Sequence, residues 1–156
     1  MQDRALLESA AAQPAYPYYT TFDEKLAALF RSLVANHALV DGNKRLALVV
    51  LHGTLLVNGR LWTWDDGLAE EFVLACAKAA PAVEDLAAVL AAYSVSIDVL
   101  RPDAFEPAEL RRALRVVNPR PPVGETAALE ALQKGGVAAL RALVEARAVE
   151  SPRAGA

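Results

Sequence analysis

The sequence predicts an all-α fold: a helical bundle with a polar loop at the N-terminus of a buried central helix, and a C-terminal helical extension. Apolar residues recur at the spacing of amphipathic helices through most of the chain. Capping residues and prolines mark where these helices begin and end. Only Leu61–Trp64 suggests a short extended segment. The 156 residues, 54% of them hydrophobic, can bury the core of one ordinary domain.

Two helices are predicted ahead of the polar loop. Residues 3–12 predict a short helix, and the aromatic residues 13–20 contain two prolines that keep them out of a regular helix. Thr21 and Glu24 have the spacing of a capping box, which predicts a helix start. From there an amphipathic helix should run to about Asn36, because apolar residues follow at one-turn spacing: Leu26, Leu29, Phe30, Leu33 and Val34.

The stretch Arg45–Val57 should form the central helix of the bundle. Its apolar residues cover the whole circumference, so we expect neighbours to enclose it, and His52 should be a satisfied core or interface histidine. Asn58-Gly59 is a plausible left-handed stop. The two tryptophans that follow, Trp62 and Trp64, are expected to pack beside this helix.

Two further helices are predicted before residue 100. The first is capped by Asp65 or Asp66, ends at Pro81, and has an inner face of Leu68, Phe72, Cys76 and Ala79. The second is marked by Val83, Leu86, Leu90 and Tyr93. We therefore assign residues 1–100 to one catalytic part.

The chain changes character after Leu100, where prolines become frequent. We expect a basic helix around 110–115, whose arginines form a solvated face, and a helix over 126–149 that Gly135-Gly136 break or kink. Residues 101–150 are thus a helical extension of unassigned role. The final residues 151–156 should be disordered.

Composition excludes several classes of function. The single cysteine, Cys76, cannot form an intrachain disulfide or a multi-cysteine zinc site, and its apolar neighbours favour burial. A net charge of −3 argues against a nucleic-acid-binding protein. No stretch has the length and apolarity of a membrane span, and the N-terminus lacks the features of a secretory signal. We expect a cytoplasmic protein.

Residues 37–45 carry the chemistry that the sequence offers. A loop that feeds a helix N-terminus presents free backbone N–H groups to an anion. Gly42 allows close approach of a phosphate, Asn43 suits the turn, and Arg45 can add a bidentate contact. Asp41 can hold Mg²⁺ together with phosphate oxygens, and His37 suits removal of a proton near neutral pH. These residues predict transfer of a phosphorus group from a nucleotide to a hydroxyl.

The run His37-Ala38-Leu39-Val40-Asp41-Gly42-Asn43-Lys44-Arg45 resembles the active-site signature of the Fic/Doc (Fido) family. Its Asn-Lys-Arg ending is closest to the Doc (death-on-curing) branch. The resemblance covers roughly residues 3–95. It implies that His37 is the general base, that Asp41 binds Mg²⁺, and that the Gly-Asn backbone forms an anion hole beside Lys44 and Arg45, which contact the phosphates.

Departures from the family pattern favour one reaction. Lys44 replaces a Gly of the AMP-transferring Fic enzymes, and Leu48 replaces their second Arg. In the Doc branch this combination goes with an inverted ATP and transfer of its γ-phosphate. The resemblance therefore implies a toxin-type protein kinase that acts on a Ser or Thr of a host protein. Translation elongation factor Tu is the suggested target, and a Phd-type antitoxin is the suggested partner.

Other family features are matched less closely. The family commonly has Pro-Phe after the His, where this chain has Ala38-Leu39. Doc-like members usually have Thr at the position that Leu46 occupies in this chain. Tyr16–Phe22 lies where the family places a substrate-aligning flap. Thr126–Ala131 only partly matches the family's inhibitory helix, and its final residue is wrong. The chain also starts later in the family pattern than members usually do, which leaves an upstream start codon or a shortened domain open.

Two alternatives remain at this point. One is a Fic-type AMP transferase on the same scaffold. The other is a catalytically weakened member that acts as a binding module through the extension after Leu100, an idea motivated by Leu39 and by the unusual tail.

Overall fold

The computed structural model is built almost entirely of helices, as the sequence predicts. It describes residues 3–36, 39, 41–64, 66–97 and 122–150. Within these ranges the helices are α1 (Arg4–Ala12), α2 (Phe22–Ala35), α3 (Asn43–Val57), α4 (Asp66–Ala79), α5 (Val83–Ala92) and α6 (Glu125–Glu150), with a 3₁₀ turn at Gln13–Ala15. The strands β1 (Arg60–Trp62) and β2 (Ser94–Ser96) pair antiparallel.

Side chains cap the first two helices. The Ala5 N–H donates to Asp3 Oδ1 at 2.8 Å ahead of α1. At the start of α2 the Glu24 N–H donates to Thr21 Oγ1 at 3.2 Å, and the Thr21 N–H donates to the Glu24 carboxylate at 2.8 Å. These backbone donors hold the pKa of Glu24 below its usual value. The predicted capping box is confirmed.

One continuous hydrophobic core joins all parts of the described chain. α2 packs against α5, α3 and the 3₁₀ turn, while α6 packs against α4 and α5. Phe30 of α2 stacks on Phe72 of α4 with ring centroids 5.5 Å apart. The α6 residues Ala128, Leu132, Val137 and Leu140 are buried in the same cluster. The division of the chain at residue 100 stays a prediction.

The predicted enclosure of α3 is wrong. Its buried residues form a single stripe of Ala47, Leu51 and Leu55, whereas Val49 is 68% exposed and Val57 is 82% exposed. The reason is that α3 meets α2, β1 and α4 on one side only, and α2 takes the inner position between helices. Apolar residues on the remaining surface of α3 therefore face solvent in the described structure.

The two strands fix the C-terminal end of α3. Gly59 has a φ of 71°, the left-handed conformation expected at a helix stop. Beyond it, Leu61 pairs with Val95, and the Ile97 N–H donates to the Gly59 carbonyl at 2.8 Å. The extended segment is confirmed at Leu61-Trp62. Its partner β2 was missed because the pairing joins residues far apart in sequence.

The later helices follow the predicted pattern with one exception. Leu68, Phe72 and Cys76 of α4 are buried as expected, but Ala79 is exposed because α4 ends there, ahead of Pro81. Trp62 lies beside α3 as predicted, with its ring centroid 6.5 Å from that of His52, while Trp64 packs between Phe72 and Tyr93. The kink in α6 is confirmed at Gly136, with φ 67° and ψ −157°. The predicted basic helix at 110–115, Asp65 as a cap, and the predicted disorder at 151–156 lie outside the described residues.

Candidate active site

A cavity of about 720 Å³ lies between the N-terminal half of α3 and one face of α4. The last turn of α2 forms part of its wall through Val34 and Ala35. Five consecutive residues, 41–45, line the end of the cavity at the start of α3. The loop that carries the predicted chemistry therefore opens into this cavity.

Gly42 sets the geometry where this loop enters the helix. It is the N-cap of α3 and has φ 90° and ψ 5°, a left-handed conformation that costs residues with a Cβ strain. The Leu46 N–H donates to the Gly42 carbonyl at 2.8 Å, which is the first hydrogen bond of the helix. The N–H groups of Asn43, Lys44 and Arg45 precede this bond, so the helix offers them no carbonyl acceptor. They form a site for an anion at the positive end of the helix dipole.

The Asn43 side chain locks the loop onto the helix. The Leu39 N–H donates to Asn43 Oδ1 at 3.0 Å, and Asn43 Nδ2 donates to the Leu39 carbonyl at 2.9 Å. Both functional ends of the amide are thus used within the protein. Asn43 can offer a ligand its backbone N–H, while its side chain holds Leu39, which is half-buried, against the start of α3.

Three charged residues surround this helix end. Asp41 lines the cavity, and its Oδ1 accepts a hydrogen bond from the Gly42 N–H at 2.7 Å. Lys44 and Arg45 are both exposed and line the cavity. Neither of these cations has an ion-pair partner among the residues that the structure describes. Two uncompensated cations beside free N–H groups favour binding of a phosphate. We call Gly42, Asn43, Lys44 and Arg45 the cradle.

The structure therefore brings Asp41 and all four residues of the cradle to one cavity. His37 lies outside the described residues, together with Ala38 and Val40. Its role as general base stays a prediction, as do the functional roles of the five residues that are described.

The cavity also contains polar residues that sequence reasoning did not assign to a site. His52 of α3 lines it, as do Asp66 and Glu70 of α4. Of the two alternatives predicted for His52, a core histidine is wrong, because the residue is exposed on the cavity side of α3, and an interface histidine stays a prediction. Partial burial nevertheless lowers its pKa, and the charge of Asp66 opposes that effect. The helical spacing of Arg45 and His52 was a usable signal, since seven residues bring a side chain back to nearly the same face.

Other candidate residues lie away from the cavity. Cys76 is buried as predicted, and burial raises the pKa of its thiol to about 12. Glu130 of the partial inhibitory pattern is exposed and pairs with Lys134 at 3.3 Å, so it does not line the cavity. Tyr16 and Tyr18 of the predicted flap segment stack with centroids 5.4 Å apart, and both are exposed.

The donor set suits one kind of metal ion. Within the described ranges no cluster of three or more His, Cys, Asp or Glu residues is positioned to hold a metal. Mg²⁺ does not need such a cluster, because it typically binds one or two carboxylates, waters and nucleotide phosphates. Asp41 beside the cradle fits that requirement. No helix in the described ranges has the length and apolarity needed to cross a membrane.

Comparisons with known proteins point to one family. Residues 2–55 match the family model described as the Fic/DOC family. This chain is 45% identical to the toxin Doc of Mycolicibacterium smegmatis over 64 residues. The matched stretch covers 38% of this chain and 49% of that protein. The chain thus spans about half the length of this curated relative. No solved structure matches.

Proposed function

The part of this chain at residues 2–55 belongs to the Fic/Doc family, and from that premise we propose that the protein is a Doc-type toxin kinase. It transfers the γ-phosphate of ATP to a Ser or Thr hydroxyl of a host protein. The observation that carries the proposal is the cradle, a left-handed Gly42 at a helix N-terminus beside Lys44 and Arg45, which form no ion pair with any described residue.

The cradle is suited to stabilise a phosphoryl group during transfer. Its backbone N–H groups are fixed by α3, so they need no reorganisation as charge develops on the transferred group. Arg45 in the first turn can form two parallel contacts to phosphate oxygens, whereas Lys44 acts as a point charge. Phosphoryl transfer depends mainly on positioning and charge neutralisation, which are the two properties that this helix end provides.

The remaining roles follow from the family resemblance. His37 takes the proton of the attacking hydroxyl as its oxygen forms a bond to the γ-phosphorus, and the bond to the bridging oxygen of ADP breaks. Asp41 would hold Mg²⁺, which neutralises phosphate charge when it is bound. The position of Asp41 in the cavity lining, where its Oδ1 accepts the Gly42 N–H, supports this role.

Leu48 supports kinase chemistry over AMP transfer. It lines the cavity one turn beyond the cradle, where the AMP-transferring Fic enzymes have a second Arg. An apolar side chain at this point offers a phosphate no charge compensation. A triphosphate held as in those enzymes would lose one of its cationic contacts here, which favours the inverted arrangement of the Doc branch.

Partners follow from the same proposal. We expect a toxin that acts in the cytoplasm, with translation elongation factor Tu as the target and a Phd-type antitoxin that neutralises the toxin. Similarity to a protein named toxin Doc supports a toxin with an antitoxin partner, whereas the target is proposed from the family resemblance alone.

The decisive experiment is a labelling assay. The purified chain is incubated with Mg²⁺, γ-labelled ATP and purified elongation factor Tu or a bacterial lysate, in parallel with a His37→Ala variant. We expect label on one protein band that depends on His37. Label from the α-phosphate instead would identify an AMP transferase. The absence of both labels in a folded sample would contradict an enzymatic function and favour a binding module.

A further inference from the structure

Asn36 connects the end of α2 to another helix. It is the C-cap of α2, and its N–H donates to the Ser32 carbonyl at 2.8 Å. Its backbone has φ −80° and ψ 115°, so the chain leaves the helical path at this residue. The half-buried side chain donates from Nδ2 to the Leu6 carbonyl of α1 and to Ser32 Oγ, each at 3.2 Å. An amide nitrogen has two hydrogens, which is the number of acceptors that Asn36 reaches.

The helix α1 provides a fixed acceptor for this contact. Ala10 of α1 is fully buried, and Leu7 packs against the same hydrophobic core. The helix also packs against α2 directly. The hydrogen bond from Asn36 to Leu6 therefore joins two helices that the core already holds together, and it fixes the residue at which α2 ends relative to α1.

A second amide holds the chain three residues later. Asn43, the first residue of α3, binds both the N–H and the carbonyl of Leu39. His37 and Ala38 are the two residues between Asn36 and Leu39 in the sequence. Two side-chain amides thus hold the chain directly before the predicted general base and two residues after it, one from each of the helices that flank the loop.

We propose that Asn36 is a positioning residue, which holds the end of α2 on α1 so that His37 reaches the substrate hydroxyl beside the cradle. The inference rests on the proposed function, in which His37 takes the proton of that hydroxyl. Asn36 does not line the cavity at the cradle, and its amide hydrogens are used within the protein. It therefore acts on the reaction through the backbone of His37.

The geometry of proton transfer makes such a residue important. A general base must lie within about 2.6–3.2 Å of the group that it deprotonates. A displacement of about 1 Å from that position can reduce a rate by about a hundredfold. The cradle, in contrast, is built on α3 and does not depend on the hydrogen bond between Asn36 and α1. Loss of Asn36 should therefore affect the transfer step and leave nucleotide binding intact.

Asn58 provides a matched control at the far end of α3. It is also the C-cap of its helix, and its Nδ2 donates to the Thr54 carbonyl at 2.8 Å within the same helix. It does not line the cavity. Asn58→Ala thus removes a side-chain amide from a helix C-terminus without removing a contact between two helices.

The first test compares kcat for γ-phosphate transfer with the affinity for ATP in the full chain. Asn36→Ala should lower kcat by about tenfold or more, with an unchanged affinity for ATP. Ser32→Ala removes one of the two acceptors of the Asn36 amide, so it should lower kcat by a smaller factor of about three. Asn58→Ala should change neither quantity, and circular dichroism should report the same helicity for all three variants as for the parent.

Histidine NMR provides a second test that does not depend on catalysis. The chain has two histidines, His37 and His52, so a His52→Gln variant assigns both ring signals. We expect the His37 ring signal of the parent to differ from that of free histidine. In Asn36→Ala it should move toward the free value, whereas in Asn58→Ala it should stay in place.

The outcomes separate this inference from the proposed function. Equal kcat in Asn36→Ala and Asn58→Ala, or an unmoved His37 signal in Asn36→Ala, would overturn the positioning role and leave the kinase proposal intact. So would a loss of ATP affinity in place of a loss of kcat. If Asn36→Ala does not fold, Ser32→Ala decides by the same measurements. A parent that transfers no phosphate, but whose His37 signal moves in Asn36→Ala, would overturn the kinase proposal alone.

Discussion

The two ends of α3 use the same residue type in opposite ways. At the N-terminal end, Arg45 is exposed and no described residue pairs with it. Just past the C-terminal end, Arg60 donates to Asp23 Oδ1 at 2.6 Å and to Ser94 Oγ, and its guanidinium lies 5.3 Å from the Phe22 ring centroid. Within the described chain, Arg45 therefore lacks an ion-pair partner, whereas Arg60 connects the end of α3 to α2 and to β2.

This difference indicates how the fold separates binding from stability. Cations that are saturated by internal partners contribute to the folded state, and their removal leaves partners unsatisfied. A cation without partners contributes little to folding, and its charge remains available to a ligand. Arg45 and Arg60 should therefore differ in what their loss affects: activity for the first and stability for the second.

The largest effect is expected for Arg45→Ala. Loss of one charge-stabilising contact should reduce the rate of γ-phosphate transfer by about a hundredfold. The free energy of unfolding should change by about 0.5 kcal/mol or less, because the side chain is exposed. A labelling assay and urea denaturation measure the two quantities. A loss of stability large enough to explain the loss of activity would break the contrast between the two helix ends.

The opposite pattern is expected for Arg60→Ala. The substitution removes charged hydrogen bonds and the contact with Phe22, so it should lower the free energy of unfolding by about 1–3 kcal/mol. Arg4→Ala is the matched control, because the Arg4–Glu8 pair lies on the surface and should contribute about 0.5 kcal/mol or less. Equal effects of the two substitutions in urea denaturation would mean that Arg60 is not structural.

A substitution at Gly42 should strain the backbone of the cradle. Gly42→Ala should lower the free energy of unfolding by about 1 kcal/mol, since φ is 90° and L-residues disfavour that region. Gly53→Ala in the same helix is the control, because its Cβ would meet nothing within 4 Å at ordinary helical angles. That change should stabilise the protein by up to about 1 kcal/mol. If thermal unfolding gave both changes the same sign, Gly42 would not be strained as described.

The smallest effect concerns pH and His52, midway along α3. Burial lowers the pKa of His52 in the folded state, so the unfolded chain binds the extra proton more readily. Stability should therefore fall as the pH drops below about 6.5, the ordinary histidine value. His52→Gln should flatten this part of the profile, as measured by urea denaturation between pH 5 and 7.5. An unchanged slope would place the titrating group elsewhere.

Local sequence signals predicted most of the secondary structure. The Thr21–Glu24 capping box, the stop at Gly59 and the kink at Gly136 each depend on residues within a turn or two, and each is present. The polar loop of the cradle was also predicted, because the order of residues 41–45 fixes which groups a helix N-terminus presents. Chemistry that lies within one loop can be inferred from a linear sequence.

The sequence did not predict which helix faces are buried by neighbouring elements. The apolar circumference of α3 predicted enclosure, yet Val49 and Val57 are exposed, because the described elements that contact α3 bury only its stripe of Ala47, Leu51 and Leu55. The pairing of β1 with β2 joins residues more than thirty positions apart, and neither strand is long enough to signal its partner. Burial and long-range strand pairing depend on the positions of the other helices and strands in the folded structure. A local sequence pattern does not contain this information.

The sequence by itself therefore determined the helices, their caps and the composition of the cradle, since backbone propensity and residue order act locally. Only the tertiary structure placed α4 opposite α3, and so brought His52, Asp66 and Glu70 into the cavity that begins at Arg45. It also decided that Arg60 is paired with Asp23, whereas Arg45 has no ion-pair partner among the residues that the structure describes. The physical reason is that compensation of a charge and the shape of a cavity depend on distances through space.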